Sequence, residues 1–183
     1  EHHLTLTETS CKTYRHSMMR QIALAFAALL HPLAPVSASD DAPLRSIPGV
    51  AEPYETSAFD PKADAAAAVD AALAAARQSG KRVLLVMGSN DCHDSAWFAN
   101  LVASERFAPV RARYHIVYAD IGMPHRGIVR NADVPKRFGF KIKGTPTVAI
   151  LDADGRVLNR KAAPQWRNAA SRSDDEIYTE LMQ

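Results

Sequence analysis

The sequence predicts an α/β fold with a mixed central sheet that is covered by helices on both faces. Three observations support this fold class. Short apolar runs of strand length alternate with longer stretches of helical periodicity. Residues 81–122 are typical of a βαβ unit, which makes parallel strands, and residues 145–182 are typical of a ββα unit, which makes antiparallel ones. The sheet is therefore expected to contain both kinds of pairing.

Composition limits the class of protein further. The chain has 183 residues, of which 47% are hydrophobic and 23% charged, as expected of one globular domain rather than a disordered or fibrous chain. The formal charge of +2 gives no reason to expect nucleic acid. The sequence has no phosphate loop, no dinucleotide fingerprint and no serine hydrolase elbow.

The segment 18–38 predicts a secretory signal peptide with cleavage after Ala38. Arg20 precedes an apolar run at residues 22–30, and small residues follow at 36–38. His31 and Pro32 interrupt the run, which is therefore too short to span a bilayer. A periplasmic or secreted protein without a membrane span in its mature form is expected, and an ordinary N-terminal core helix is the alternative.

Residues 1–38 are interpreted as an upstream extension plus this signal peptide, and they contain Cys11. The mature chain would keep one cysteine, Cys92, and could form no internal disulfide. Residues 39–59 are rich in proline and predict an extended lead-in that lies against the domain or stays mobile. The compact domain is expected over residues 60–183.

The first elements of the domain follow from capping residues and apolar runs. A helix is predicted from Asp60 as N-cap and Pro61 at the first helical position, with Gly80 as its end. Residues 81–88 predict a buried central strand. A helix should then begin at Cys92 and place Trp97 and Phe98 in the core, and a further helical piece should begin at residue 104.

The second half of the domain contains two short motifs and a terminal helix. Residues 114–122 predict a second strand, and residues 131–140 a short helix that begins near Asn131 and ends at Gly139. Residues 145–160 predict two strands around the turn DADG. Ser173 and Glu176 form a capping box for the last helix.

This order places Cys92 after the central strand and at the start of a helix. Free backbone N–H groups and the positive end of the helix dipole stabilise a thiolate there. The Ser95 hydroxyl, one turn later, could donate a hydrogen bond to the sulfur. A nucleophilic thiolate at an exposed strand-to-helix turn is therefore expected, and a buried or vestigial cysteine is the alternative.

The stretch 60–183 resembles the thioredoxin superfamily. The resemblance rests on the element order, on Cys92-x-x-Ser95 at the mouth of a helix, and on KGTPTVAILDADGRV at residues 143–157. It implies a thioredoxin-like fold in which Pro146 is cis. It also implies that Thr145 and Pro146 contact the substrate backbone beside the active cysteine.

Departures from the family pattern concern the chemistry. Ser95 occupies the position of the resolving cysteine and cannot release a mixed disulfide. Asp91 replaces the tryptophan that usually precedes the first cysteine, and Val86 replaces an acidic residue of the preceding strand. Asp91 and Asp94 disfavour a thiolate at Cys92 by charge repulsion, and a protonated His93 would oppose them. Otherwise His93 is a solvated side chain and Asp94 a helix-start carboxylate.

No metal site and no cofactor are predicted. The candidate ligands are Cys92, His93, Asp94, His115 and His125, and no pair of them has a closed zinc spacing.

Two functions remain open. The first is an exported thiol protein that exchanges disulfides as a monothiol through Cys92, with a protein or a small thiol or disulfide as substrate and an external thiol for release. The second is a non-catalytic thioredoxin-fold module whose groove beside Pro146 binds an extended peptide or a partner protein.

Overall fold

The computed structural model describes residues 45–183. The predicted signal peptide and Cys11 lie outside these residues. No helix within the described range is long and apolar enough to cross a membrane. The elements, in chain order, are α1 (Ala65–Ser79), β1 (Arg82–Gly88), α2 (His93–Ala103), α3 (Ala108–Arg113), β2 (Tyr114–Asp120), β3 (Gly122–Met123), β4 (Ile128–Val129), α4 (Asp133–Arg137), β5 (Thr147–Leu151) and α5 (Asp174–Met182), with 3-10 helices at Glu105–Phe107, Pro124–Arg126 and Ala163–Ser171.

A three-stranded mixed sheet of order β2-β1-β5 forms the centre of the molecule. β1 pairs with β2 in parallel and with β5 antiparallel. All residues of β1 from Val83 to Gly88 are buried, because packed side chains cover both faces of the sheet. One core cluster contains residues of α2, α3 and α5, and the other contains residues of α1 and α4. The predicted mixed sheet with helices on both faces is confirmed.

The first helix begins later than predicted. Asp64 is the N-cap of α1 and accepts a hydrogen bond from the Ala67 N–H at 2.9 Å. Asp60 instead stabilises its own turn by accepting from the Lys62 N–H at 2.9 Å. Gly80 ends the helix in a left-handed conformation with φ of 72°, as predicted.

The described part of the lead-in, residues 45–59, lies against the domain, which was one of the two predicted states of the lead-in. Phe59 is fully buried and Ile47 is 2% exposed, so the packed core extends N-terminal to the predicted domain start at residue 60. The Asn100 side-chain amide donates to backbone carbonyls at residues 52, 53 and 55. Asn90, two residues before Cys92, exchanges two hydrogen bonds with the Phe59 backbone at 3.0 and 2.8 Å.

The predicted second strand of the DADG hairpin does not form. After the turn, the strand-like contacts are an isolated bridge between Leu151 and Val157 and two backbone hydrogen bonds, from the Asp152 N–H to the Arg156 carbonyl at 3.0 Å and from the Leu158 N–H to the Ile150 carbonyl at 2.8 Å. The Asn159 side chain takes the place of a strand by accepting from the Ile150 N–H at 2.8 Å and donating to the Val148 carbonyl at 2.9 Å. The prediction of two strands is therefore wrong for residues after Gly155, because a side-chain amide satisfies the free edge of β5.

The other predicted elements are present with small shifts. The helical piece after Ser104 is split into a 3-10 turn and α3, and α4 begins at Asp133, after Asn131 with φ of 42°. The capping box of Ser173 and Glu176 is complete at the start of α5. The β3–β4 ribbon and the 3-10 helix at residues 163–171 were not predicted.

Candidate active site around Cys92

The candidate site lies at the edge of the sheet where β1 and β2 both end. Gly88 and Asp120 are partners in the parallel register, and they are the last residues of their strands. Cys92 follows after one turn, in which its N–H donates to the Ser89 carbonyl at 3.2 Å. Its extended backbone, with φ of −103°, makes it the N-cap of α2. The sequence-based placement of Cys92 at a strand-to-helix turn is correct.

The thiol is less exposed than predicted. Cys92 is 9% exposed, and its Sγ donates to the backbone carbonyl of Thr145 at 3.2 Å. The expectation of an exposed turn is corrected because the loop that carries Thr145 covers the sulfur. The peptide bond between Thr145 and Pro146 is cis. The thiol lines a cavity of about 290 Å³ together with Thr145 and Gly144.

Ser95 does not contact the sulfur in the way that was expected. Its side chain is fully buried, and the Oγ has no hydrogen-bond partner among the described residues. The hydroxyl lies towards β1: a Cβ added to Gly88 would lie 2.6 Å from it. The predicted hydrogen bond from Ser95 to Cys92 is therefore wrong, because the hydroxyl is directed to the sheet.

The two carboxylates that flank the thiol are each engaged elsewhere. Asp94 accepts a hydrogen bond from the Ala170 N–H at 2.9 Å. Partial burial raises the pKa of Asp94 above its usual value, although the Ala170 N–H and the charge of His93 act in the opposite direction. Asp91 is exposed and lies 4.0 Å from the guanidinium of Arg130, whose Nε donates to the buried Asp120 at 3.0 Å. Their repulsion of a thiolate is thereby reduced.

An aromatic stack borders the site on the lead-in side. The ring of His93 stacks on Tyr54 at 3.9 Å between centroids, with the planes 10° apart. Tyr54 also lies 5.2 Å from Trp97. His93 is exposed, as expected of a first-turn residue, but the stack holds its ring in place. Trp97 and Phe98 are fully buried, as predicted.

The histidines considered as metal ligands do not form a cluster. His115 lies near the start of β2, at the opposite end of the sheet from Cys92, and its Nε2 is 2.8 Å from the Ser79 hydroxyl. His125 is exposed in the 3-10 turn and lines the cavity with Cys92, His93 and Asp94. Within residues 45–183, no group of three or more histidine, cysteine or acidic residues is placed to hold a metal ion.

Comparison with known proteins supports the fold. The profile of a family described as thioredoxin-like matches residues 64–153. The crystal structure of a disulphide isomerase from Xylella fastidiosa Temecula1 is similar, with 28% sequence identity and a TM-score of 0.61 over 68% of this chain and 93% of that chain. No curated protein gives a significant match. The chain has a thioredoxin-like fold.

This thioredoxin-like protein carries three cations at its thiol cavity that sequence reasoning missed. Arg126, Lys143 and Arg167 all line the cavity with Cys92. One signal was readable: Lys143 lies two residues before Thr145, in the stretch KGTPT that carries the resemblance. Arg126 and Arg167 come from distant segments with no motif, so only the tertiary structure brings them to the cysteine.

Proposed function

We propose that this chain is an exported thioredoxin-like protein that exchanges disulfides as a monothiol through Cys92. The observation that carries the proposal is the position of the sulfur, at the N-cap of α2, beside the carbonyl of Thr145 and on a cavity. Reactive cysteines in proteins are found at helix N-termini, and they act as nucleophiles through the thiolate. The similarity to a protein named as a disulphide isomerase adds support for this class of chemistry.

The exchange balances without any oxidant or reductant. The Cys92 thiolate attacks one sulfur of a disulfide, the S–S bond breaks, and the other sulfur leaves as a thiolate that takes up the proton Cys92 has lost. One thiol and one disulfide exist before and after the step. Release of the mixed disulfide then needs an external thiol such as glutathione, because position 95 holds a serine.

The proposal is tested by trapping the adduct. A Cys11→Ser chain, which leaves Cys92 as the one thiol, is incubated with bis(2-hydroxyethyl) disulfide, a neutral probe, and followed by mass spectrometry. We expect one mercaptoethanol adduct on Cys92 that persists until an external thiol is added. An unmodified Cys92 would disprove the thiol chemistry, and release without added thiol would disprove the monothiol mechanism.

One observation favours the alternative of a non-catalytic binding module. Cys92 is only 9% exposed, and its thiol is already bonded to Thr145. Capture of partner proteins from an extract of the source cells, compared between the Cys11→Ser chain and the same chain with Cys92→Ser, separates the two functions. Capture that is lost with Cys92→Ser and on reduction supports the monothiol function; capture that survives both changes supports the module.

Export is part of the proposal and has its own test. It rests on the signal-peptide pattern at residues 18–38. N-terminal sequencing of the protein from the periplasm or the medium is expected to begin at Ser39. A chain recovered from the cytoplasm with residues 18–38 intact would contradict export.

A further inference from the structure

The cations at the thiol cavity have no ionic partner in the part of the chain that the structure describes. Neither Arg126, Lys143 nor Arg167 forms an ion pair or a side-chain hydrogen bond with any part of residues 45–183. The two carboxylates of the same cavity are engaged, Asp94 by a backbone N–H and Asp91 by Arg130 at 4.0 Å. Among the acidic and basic side chains that line the cavity, three are cations and two, Asp91 and Asp94, are carboxylates, so the cations are in excess.

The position of Arg167 depends on a glycine next to the thiol. A Cβ added to Gly144 would lie 3.1 Å from both Cβ and Cδ of Arg167, so the aliphatic part of the arginine crosses this glycine closely. Gly144 immediately precedes Thr145, whose carbonyl accepts from the thiol. The arginine of a 3-10 helix is thus packed on the loop that covers Cys92, and its head group is held at the cavity.

We infer that the cavity beside Cys92 binds small disulfides and thiols that carry carboxylate groups, with Lys143, Arg167 and Arg126 as the residues that select them. This inference rests on the proposed thiol function and names its substrate class. A volume of about 290 Å³ is at the lower end for small-molecule sites, which span roughly 300–1,000 Å³. Carboxylates are among the anions that arginine forks bind with two hydrogen bonds and that lysine ammonium groups attract.

The charge effect is measured with three disulfide probes of different charge. Oxidised glutathione is anionic, bis(2-hydroxyethyl) disulfide is neutral, and cystamine is cationic. The rate of adduct formation on Cys92 is compared between the Cys11→Ser chain and the same chain with Lys143→Gln plus Arg167→Gln. A ratio of rates between the two chains cancels the intrinsic reactivity of each probe. Lys81→Gln is the matched control, because Lys81 is an exposed cation next to the opposite end of β1.

Loss of the two cations should slow the reaction with oxidised glutathione by about tenfold, as expected for electrostatic attraction into a cavity. The neutral probe should be unaffected and cystamine should react faster. The difference should shrink at high salt, which screens exposed charges. Equal effects on all three probes would overturn the inference. An acidic peptide disulfide that reacts more than tenfold faster than oxidised glutathione would also overturn it, in favour of a protein substrate.

Binding without chemistry separates failure of this inference from failure of the proposed function. In the Cys92→Ser chain, oxidised glutathione should shift backbone N–H resonances near residues 143–145 and 167, and cystamine should not. If these shifts occur while Cys92 is unreactive in the parent chain, the selection of anions stands and the thiol function falls. If they are absent, or are unchanged by Lys143→Gln plus Arg167→Gln, the cavity does not select carboxylates.

Discussion

Ser95 provides the sharpest test of the site, because the proposed monothiol mechanism depends on it and yet its buried hydroxyl has no hydrogen-bond partner among residues 45–183. A buried polar group that lacks a hydrogen bond costs about 1–3 kcal/mol. Removing the hydroxyl with Ser95→Ala should therefore not destabilise the protein and should raise the free energy of unfolding by about 1 kcal/mol, after subtraction of the small cavity left behind. Urea unfolding of the reduced protein measures this change.

The companion variant Ser95→Cys separates stability from chemistry. A buried cysteine behaves as a small apolar residue, so Ser95→Cys should raise the free energy of unfolding nearly as much as Ser95→Ala does. The gain is smaller because the larger sulfur must fit close to Gly88. Of the two variants, only Ser95→Cys has a thiol that can release a mixed disulfide on Cys92 without an external thiol, and this release requires the new side chain to turn from the sheet towards Cys92. Mass spectrometry detects the release as loss of the adduct. If Ser95→Ala instead lowers stability by more than about 1 kcal/mol, the hydroxyl is engaged and the reasoning is refuted.

Two further predictions concern the support around the thiol. Phe59→Ala should lower the free energy of unfolding by about 3–5 kcal/mol, because the ring is fully buried beside Gly88. The control Leu158→Ala, at a half-exposed position, should lower the free energy of unfolding by less than about 1 kcal/mol in urea. Similar losses of stability in the two variants would contradict the role of the lead-in in the core. The second prediction concerns how stability depends on pH through Asp94. Burial raises the pKa of Asp94 in the folded state, so between the unfolded and folded values the native protein binds more protons than the unfolded chain. Its contribution to stability therefore falls as pH rises from about 3.8 through the folded pKa. The stability of wild type relative to Asp94→Asn should decrease over that window; an increase would show that the Ala170 N–H outweighs desolvation.

The fold was largely predictable because its main signals are local. The apolar run of β1 and the position of Cys92 at a helix start follow from neighbouring residues alone. The predicted start of α1 was too early because Asp60 and Asp64 are both suitable N-cap residues. The helix begins at the unbroken run of alanines, which directly follows Asp64. The missing hairpin strand is a different case. The side chain of Asn159 replaces strand pairing, and this substitution leaves no mark on the hydrophobic pattern.

The charge of the candidate site could not be predicted, since it arises from residues that are distant in sequence. From the sequence alone, Asp91 and Asp94 flank the thiol and oppose a thiolate. In the fold, Asp91 faces Arg130 and Asp94 accepts from a backbone N–H of the 3-10 helix. The same 3-10 helix brings Arg167 to the cavity.

The burial of Cys92 and the charge of its cavity together limit how a monothiol site can choose its substrates. The thiol is bonded to Thr145, so a large or poorly fitting disulfide must first displace the loop that covers the sulfur. A small disulfide can enter the cavity directly, and the cations at its walls, which have no ionic partner within residues 45–183, raise the local concentration of anionic disulfides. Because Ser95 offers no internal resolving thiol, the releasing thiol must enter by the same route and meet the same charges. Capture and release are therefore expected to show the same preference for carboxylate-bearing thiols. If capture favoured anionic disulfides while release favoured cationic thiols, the two steps would not both take place in this cavity.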